Sequence, residues 1–239
     1  MTTNPHSADS TSSNSTGWPP AAHEVAAPLA VLVSGGLDSA VMLAEACRAY
    51  PVVFPIYVRT GLAWEATERI YLDRFLAAIH NSNLRPIVTL DQPVADLYGK
   101  HWSLTGEGVP AAGTPDEDVF LPGRNVLLLA KPLLWCHLNG VPEIALAPLA
   151  VNPFPDATPE FFARFSAAVN ESVGGAVRVI RPYESLHKTD VIRRGSAMPL
   201  EHTFSCIRPG NLHCGRCSKC HERRTAFLDA GVPDPTVYA

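Results

Sequence analysis

Apolar residues fall along this chain in two alternating rhythms. Short unbroken runs at residues 29–33, 52–58, 84–90, 143–147 and 177–180 read as strands buried on both faces, which leave no room for polar alternation. Between them lie stretches with helical spacing at residues 39–49, 64–79, 126–138 and 159–173, and another helix begins at 189. In the second of these, Ile70, Leu72, Phe75, Leu76 and Ile79 are expected to share one side. Pro55 sits awkwardly in its strand, since proline cannot donate to a ladder. Pro132 predicts a kink or a late start in the 126–138 helix. Residues 94–119 follow neither rhythm and read either as a lid over a ligand or as an ordinary surface excursion.

Strand–helix alternation with short connections predicts an α/β fold: a parallel, five-stranded, doubly wound sheet whose ligands sit at the carboxyl ends of the strands. The 239 residues suffice for one core and a small appendage. Residues 1–26, rich in Ser, Thr, Asn and Pro, read as a disordered tail, 27–199 as the α/β domain, and 200–239 as a cysteine-bearing segment. With 19 Lys and Arg against 23 Asp and Glu the net charge is −4, so no general basic field invites nucleic acid. Arg193, Arg194, Arg208, Arg216, Lys219, Arg223 and Arg224 crowd the last fifth, as solvated charge or as an RNA patch. No apolar stretch reaches the ~20 residues of a membrane helix. The first Lys or Arg is Arg48, unlike the basic start of a signal or transit peptide, and the expected compartment is the cytoplasm.

The chemistry begins directly after the first apolar run, at Ser34-Gly35-Gly36-Leu37-Asp38-Ser39. Two glycines allow a sharp turn and bring backbone N–H groups against a ligand with no Cβ in the way. A helix starting there aims its positive end and unpaired N–H groups at the same spot. Ser34 and Ser39 add hydroxyl donors. Together with Val33 and Leu37 they form a cradle suited to phosphate. Asp38 is placed either to share a magnesium ion with phosphates or to cap the helix. The string lacks the Gly-Lys-Ser/Thr of a Walker loop and the spacing of a dinucleotide fingerprint. It resembles the SGGxDS signature of the PP-loop ATP pyrophosphatases, the adenine nucleotide alpha hydrolase-like fold. That resemblance implies that ATP is split to AMP and pyrophosphate, with the AMP activating a substrate oxygen.

Cys206, Cys214, Cys217 and Cys220 form C-x7-C-x2-C-x2-C. Two overlapping C-x2-C turns and a fourth thiolate from the preceding loop suit a closed, all-sulfur, structural zinc site. Disulfides are disfavoured in reducing cytoplasm, and a redox pair by its place late in the chain. Cys47 and Cys136 fall on buried helical faces and read as small core residues.

Three further stretches narrow the resemblance: Phe120-Leu121-Pro122-Gly123-Arg124-Asn125, the 185–192 segment Ser-Leu-His-Lys-Thr-Asp-Val-Ile, and Thr203-Phe204-Ser205-Cys206 with Cys214-Gly215-Arg216-Cys217 and Glu222-Arg223-Arg224. With the loop and the cysteines, they make residues 28–238 similar to the 7-cyano-7-deazaguanine synthases of queuosine biosynthesis. That resemblance implies ATP-dependent carbon–nitrogen ligation of 7-carboxy-7-deazaguanine with ammonia, first to the amide and then to the nitrile. It implies ATP, Mg²⁺ and Zn²⁺, a small deazapurine substrate, no stable nucleic-acid or membrane partner, and commonly a homodimer. It places Lys188 and Arg124 beside Asp38 as phosphate-contacting catalytic groups; plain alternatives are a solvated helix-end charge for Lys188 and a cap or salt bridge for Arg124.

One stretch departs from the family. Where its members carry an acidic residue and a Ser-Gly-Tyr-Pro-Asp-Cys-type run beside the deazapurine, residues 149–158 here read Leu-Ala-Val-Asn-Pro-Phe-Pro-Asp-Ala-Thr. Phe154 is suited to stack on a planar base and Asn152 to read its edge. Asp156 is placed either to pair with a ring N–H or to cap the helix that follows. The departure keeps open an adenylating enzyme for another acid. Thiolation of tRNA, and a nucleotide sensor without chemistry, remain further alternatives.

Overall fold

In the computed structural model, which describes residues 17–239, the first apolar run becomes β1 (Leu29–Val33), the middle strand of a five-stranded sheet. β2 (Val53–Arg59) and β4 (Glu143–Ala145) flank it, β3 (Val88–Asp91) and β5 (Arg178–Ile180) form the edges, and every pairing is parallel. The order β3-β2-β1-β4-β5 reverses direction at β1, so the chain opens a crevice beyond the ends of β1 and β4. The third strand is shorter than its apolar run suggested: Leu84 makes only an isolated bridge to Val53, and the ladder starts at Val88.

Successive residues of β1 face opposite sides, and each side is dry. Leu29, Val31 and Val33 pack under α1 (Leu37–Ala49), α2 (Glu65–Ala78) and α7 (Lys188–Arg194), with Ala226 and Phe227 of α8 (Ser218–Ala230) on the same face. Ala30 and Leu32 face α5 (Arg124–Leu138) and α6 (Pro159–Val173). A strand enclosed this way must be apolar throughout, which is why β1 shows no alternation.

Pro55 fits because of where its missing N–H would point. Val53 N–H bonds Asn83 O on the β3 side, and Pro55 faces the same side before the ladder begins at Ile56 and Val88. Pro132 delays nothing: α5 starts at Arg124 and runs on through the proline, which is buried. In α2 Leu72 and Phe75 are buried and Leu76 and Ile79 pack against the same core as expected, while Ile70 is half exposed and Thr67 and Tyr71 are buried instead.

Residues 1–16 of the expected tail lie outside the described residues. Further on, the tail turns inward. Trp18 lies 5.9 Å from the Tyr50 ring and donates its indole N–H to Glu45 Oε2 at 2.9 Å. Tyr183 donates to the same oxygen at 2.7 Å, and Arg194 stands 3.5 Å from the other. A buried carboxylate thus ties the N-terminal segment, α1, the loop after β5 and α7 together. Among the described residues, no helix is long and apolar enough to cross a membrane.

Candidate active site and cysteine centre

The turn after β1 is held open by its own hydroxyls. Ser34 N–H donates to Ser39 Oγ (3.2 Å), Gly36 N–H to Ser34 Oγ (3.4 Å), and Ser39 Oγ–H to Gly36 O (3.2 Å). Gly35 has φ 74°, and a Cβ there would meet Glu68 Cγ and the Glu68 carbonyl at 2.9 Å. Backbone conformation and close approach therefore both require glycine. Val33 and Leu37 are buried beneath the turn as its anchors.

Asp38, in the first turn of α1, meets Lys188 at the start of α7, with Nζ 2.5 Å from Oδ2. The other oxygen, Oδ1, is buried with no hydrogen-bond partner. Lys188 also lies 3.5 Å from Glu222 of α8, which Lys219 holds at 2.5 Å. Burial opposes the charge on Lys188, but Asp38 and Glu222 outweigh it and hold the ammonium above its ordinary pKa. Burial likewise opposes the Glu222 carboxylate, and the two lysines overcome it, so its pKa is lowered.

Arg124 opens α5 after Gly123 (φ 72°) and lines both cavities beside the loop, of about 560 and 270 Å³. Asp156 secures that helix end: its Oδ2 accepts Asn125 N–H at 2.9 Å, and its carbonyl accepts the Asn125 amide at 2.8 Å. It therefore caps α5 where the sequence offered a cap on α6, and it also lines the smaller cavity. Thr158 caps α6, accepting Phe161 N–H at 3.1 Å. Phe154 does line the cavities, stacked on Phe120 with centroids 5.0 Å apart. Asn152 lines them as well, and its Oδ1 accepts Phe154 N–H at 3.1 Å, fixing the turn that presents the ring.

The four cysteines converge. Their sulfurs all lie within 4.8 Å of one another, with Cys206–Cys217 at 3.9 Å and Cys214–Cys220 at 4.0 Å. A zinc ion holding sulfurs at about 2.3 Å spaces them about 3.8 Å apart, so the donor set fits one closed tetrahedral ion. Backbone N–H groups point at the sulfurs: Cys214 N–H at Cys206 Sγ (3.4 Å), Arg216 and Cys217 N–H at Cys214 Sγ (3.4 and 3.3 Å). Hydrogen bonds from Cys206 and Cys220 depress the Cys217 pKa, and the same crowding pushes Cys220 up. Cys47 and Cys136 are buried, their thiols pushed up to about 12 by burial.

A family model described as Queuosine biosynthesis protein QueC matches residues 29–231, a span containing the loop, both helix starts and all four cysteines. This chain belongs to the QueC family. The 7-cyano-7-deazaguanine synthase of Methanothrix thermoacetophila is 33% identical over 223 residues, covering 87% of this chain and 96% of the relative. That of Syntrophobacter fumaroxidans is 32% identical, covering 87% and 94%. Among solved structures, a 4-thiouridine synthetase with RNA and ATP aligns at TM-score 0.43 and 15% identity, covering 86% of this chain and 50% of its own, too loosely to bear on chemistry.

Within this QueC member, several lining residues escaped the sequence reading. The 94–119 excursion contains α3 (Ala95–Tyr98) and α4 (Trp102–Thr105), and it forms one wall of the larger cavity through Trp102, Gly113, Thr114, Asp116 and Val119. Trp102 stacks on Trp64 at 5.9 Å. The wall is stitched to the cysteine segment: Ser218 N–H bonds Pro110 O (3.0 Å) and Ala112 N–H bonds Arg216 O (3.1 Å). α8 was also missed, and with it any role for Glu222, although Glu222-Arg223-Arg224 helped carry the resemblance. Its signal was present, because Phe227 and Ala230 repeat the spacing of Cys220 and Arg223 ahead of a Gly231 stop. Of the seven clustered basic residues, Arg193, Arg194, Lys219, Arg223 and Arg224 are committed to bonds inside the fold.

Proposed function

We propose that this protein uses ATP to activate the carboxyl group of 7-carboxy-7-deazaguanine and joins it to ammonia, then activates the amide and releases 7-cyano-7-deazaguanine. The single observation that carries this reading is the meeting of the SGGLDS turn, Lys188 and Arg124 on one cavity whose far wall is aromatic and cysteine-tethered. A carboxylate is a poor electrophile, and an attached adenylyl group turns its oxygen into a leaving group. In this reading the N–H groups and hydroxyls of residues 34–39 take the charge that grows on departing pyrophosphate. Lys188 and Arg124 neutralise it further. Asp38 Oδ1, buried and unpartnered, is the atom suited to a magnesium ion carried in with the phosphates. Phe154 and Trp102 grip the planar base. Cys206, Cys214, Cys217 and Cys220 hold zinc as a structural clip. A homodimer in the cytoplasm is the assembly this reading expects.

Incubating zinc-replete protein with 7-carboxy-7-deazaguanine, ammonium and Mg-ATP, followed by mass spectrometry, is expected to yield the amide, then the nitrile, with AMP and pyrophosphate. Active protein that consumes ATP with a different acid alone would instead establish the second reading, a related ligase. The altered 149–158 stretch, which lacks the family's acidic residue and has Phe154 in place of its tyrosine and Ala157 in place of its cysteine, favours that alternative. Thiolation needs an accessible, reactive thiol. The clustered four and the two buried cysteines leave it without one among the described residues.

A further inference from the structure

Amide formation requires that a proton leave nitrogen, and the groups discussed so far are poorly suited to accept it. Asp38 is bound to Lys188, and Glu222 sits between Lys188 and Lys219. One other carboxyl group lines both cavities. Glu68, from the first turns of α2, is half-buried on their common wall with Ser34, Gly36, Asp38 and Arg124. Its stem presses on Gly35, and no lysine or arginine reaches salt-bridge distance of it among the described residues. Tyr57 of β2, itself buried, donates its hydroxyl to Oε2 at 3.0 Å and fixes the orientation.

We propose that Glu68 is the general base of the ligation, a role that rests on the adenylation reading above. Ammonia adds its lone pair to the carbonyl carbon of the acyl adenylate, giving a tetrahedral centre with a positively charged nitrogen. The Glu68 carboxylate takes one proton from that nitrogen. The carbon–oxygen bond to the adenylyl group breaks, AMP leaves with the electron pair, and the amide remains. Glu68 then returns its proton to water through the open cavity.

The electrical surroundings suit the task. Desolvation raises the Glu68 pKa; Arg124 on α5 and the Tyr57 hydroxyl lower it, Glu65 on its own helix raises it, and the balance lies at about 8. Asp38 of α1 and Lys188 of α7 stand on the same cavity but are paired with each other. A base whose pKa lies near working pH combines useful basicity with an adequate ionised fraction. The adenylyl phosphate of the intermediate, drawn to Arg124, would offset its lowering effect and make the carboxylate a stronger base at the step where ammonia adds.

Glu68→Gln tests this because it keeps the shape and removes the titration. Wild-type protein must first form amide; if it does not, the adenylation reading fails and Glu68 is not at issue. Given that activity, Glu68→Gln is expected to release pyrophosphate normally with acid and Mg-ATP in the absence of ammonium. Its ammonia-dependent step should be slower by about 100-fold. At constant free ammonia, the wild-type rate should rise with pH through an acid limb that Glu68→Gln lacks. Tyr57→Phe should move that limb to higher pH, because the carboxylate loses a donor. Hydroxylamine, unprotonated near neutral pH and less dependent on a partner base, should restore acyl transfer to Glu68→Gln. An unchanged pH profile in Glu68→Gln, or equal loss of pyrophosphate release and amide formation, would overturn the assignment.

Discussion

The two sides of the cavity are built by opposite means. The phosphate side is built around a local loop of six consecutive residues, a strand before them and a helix after, with contacts mostly between backbone and neighbouring hydroxyls. To it α7 and α5 add Lys188 and Arg124. The substrate side is assembled from afar. Residues 102, 154 and 207 arrive there on separate segments, and backbone bonds at 110–112 to 216–218 tie the excursion to the cysteine turn. A locally encoded site tolerates divergence elsewhere, while a stitched one can change its ligand by altering one segment. The 149–158 stretch, where the sequence reading expects a departure from the family, lies on the stitched side through Asn152 and Phe154.

If the phosphate side acts as a unit, its charged groups should be the most costly to remove. Lys188→Ala or Asp38→Ala should lower pyrophosphate release by about 100- to 1000-fold, with the circular dichroism spectrum unchanged. Equal rates in variant and wild type would remove these residues from the chemistry.

Loss of the metal should divide the two sides. Cys217→Ser, or chelation, should release zinc and speed hydrogen exchange at residues 110–112 and 216–218, while β1 and α1 keep their protection. Uniform loss of protection would mean that both sides fold as one unit. A smaller effect is expected at the aromatic wall. Trp102→Ala should raise KM for the acid roughly 5-fold, from about 1 kcal/mol of lost stacking, and leave KM for ATP alone.

Stability gives the finest contrast. Glu68 carries a raised folded-state pKa, so folding favours its protonated form, and its ionisation weakens the fold as pH climbs from the ordinary carboxylate range through about 8. Glu68→Gln should therefore raise Tm at pH 9 more than at pH 5, read by calorimetry. Asp156→Ala should cost about 1 kcal/mol by uncapping α5, a Tm loss of about 2–4 °C in a chain of this size.

The contrast also explains what could be read from the sequence. β1, its loop and the two faces of the sheet were legible, because an apolar strand before a glycine turn states its neighbours locally. The cysteines were legible because their spacing brings the sulfurs together. Ile70 misled, since it sits at the edge of the buried face, where Thr67 takes a buried place and bonds Gly210 O at 2.5 Å. As a helix cap Asp156 misled, because its partner, the start of α5, lies 31 residues earlier. Glu68 and Trp102 gave no signal at all, and Glu222 entered only as part of a stretch that carried the resemblance; an ordinary helical glutamate becomes chemical only when a distant loop meets it.

The most direct test of the central claim is isotopic. With 7-carboxy-7-deazaguanine labelled with ¹⁸O in both carboxyl oxygens, each AMP formed on the way to the nitrile should carry one ¹⁸O atom. Unlabelled AMP, or label found in pyrophosphate, would show that no adenylyl group passes to the carboxyl oxygen in this cavity.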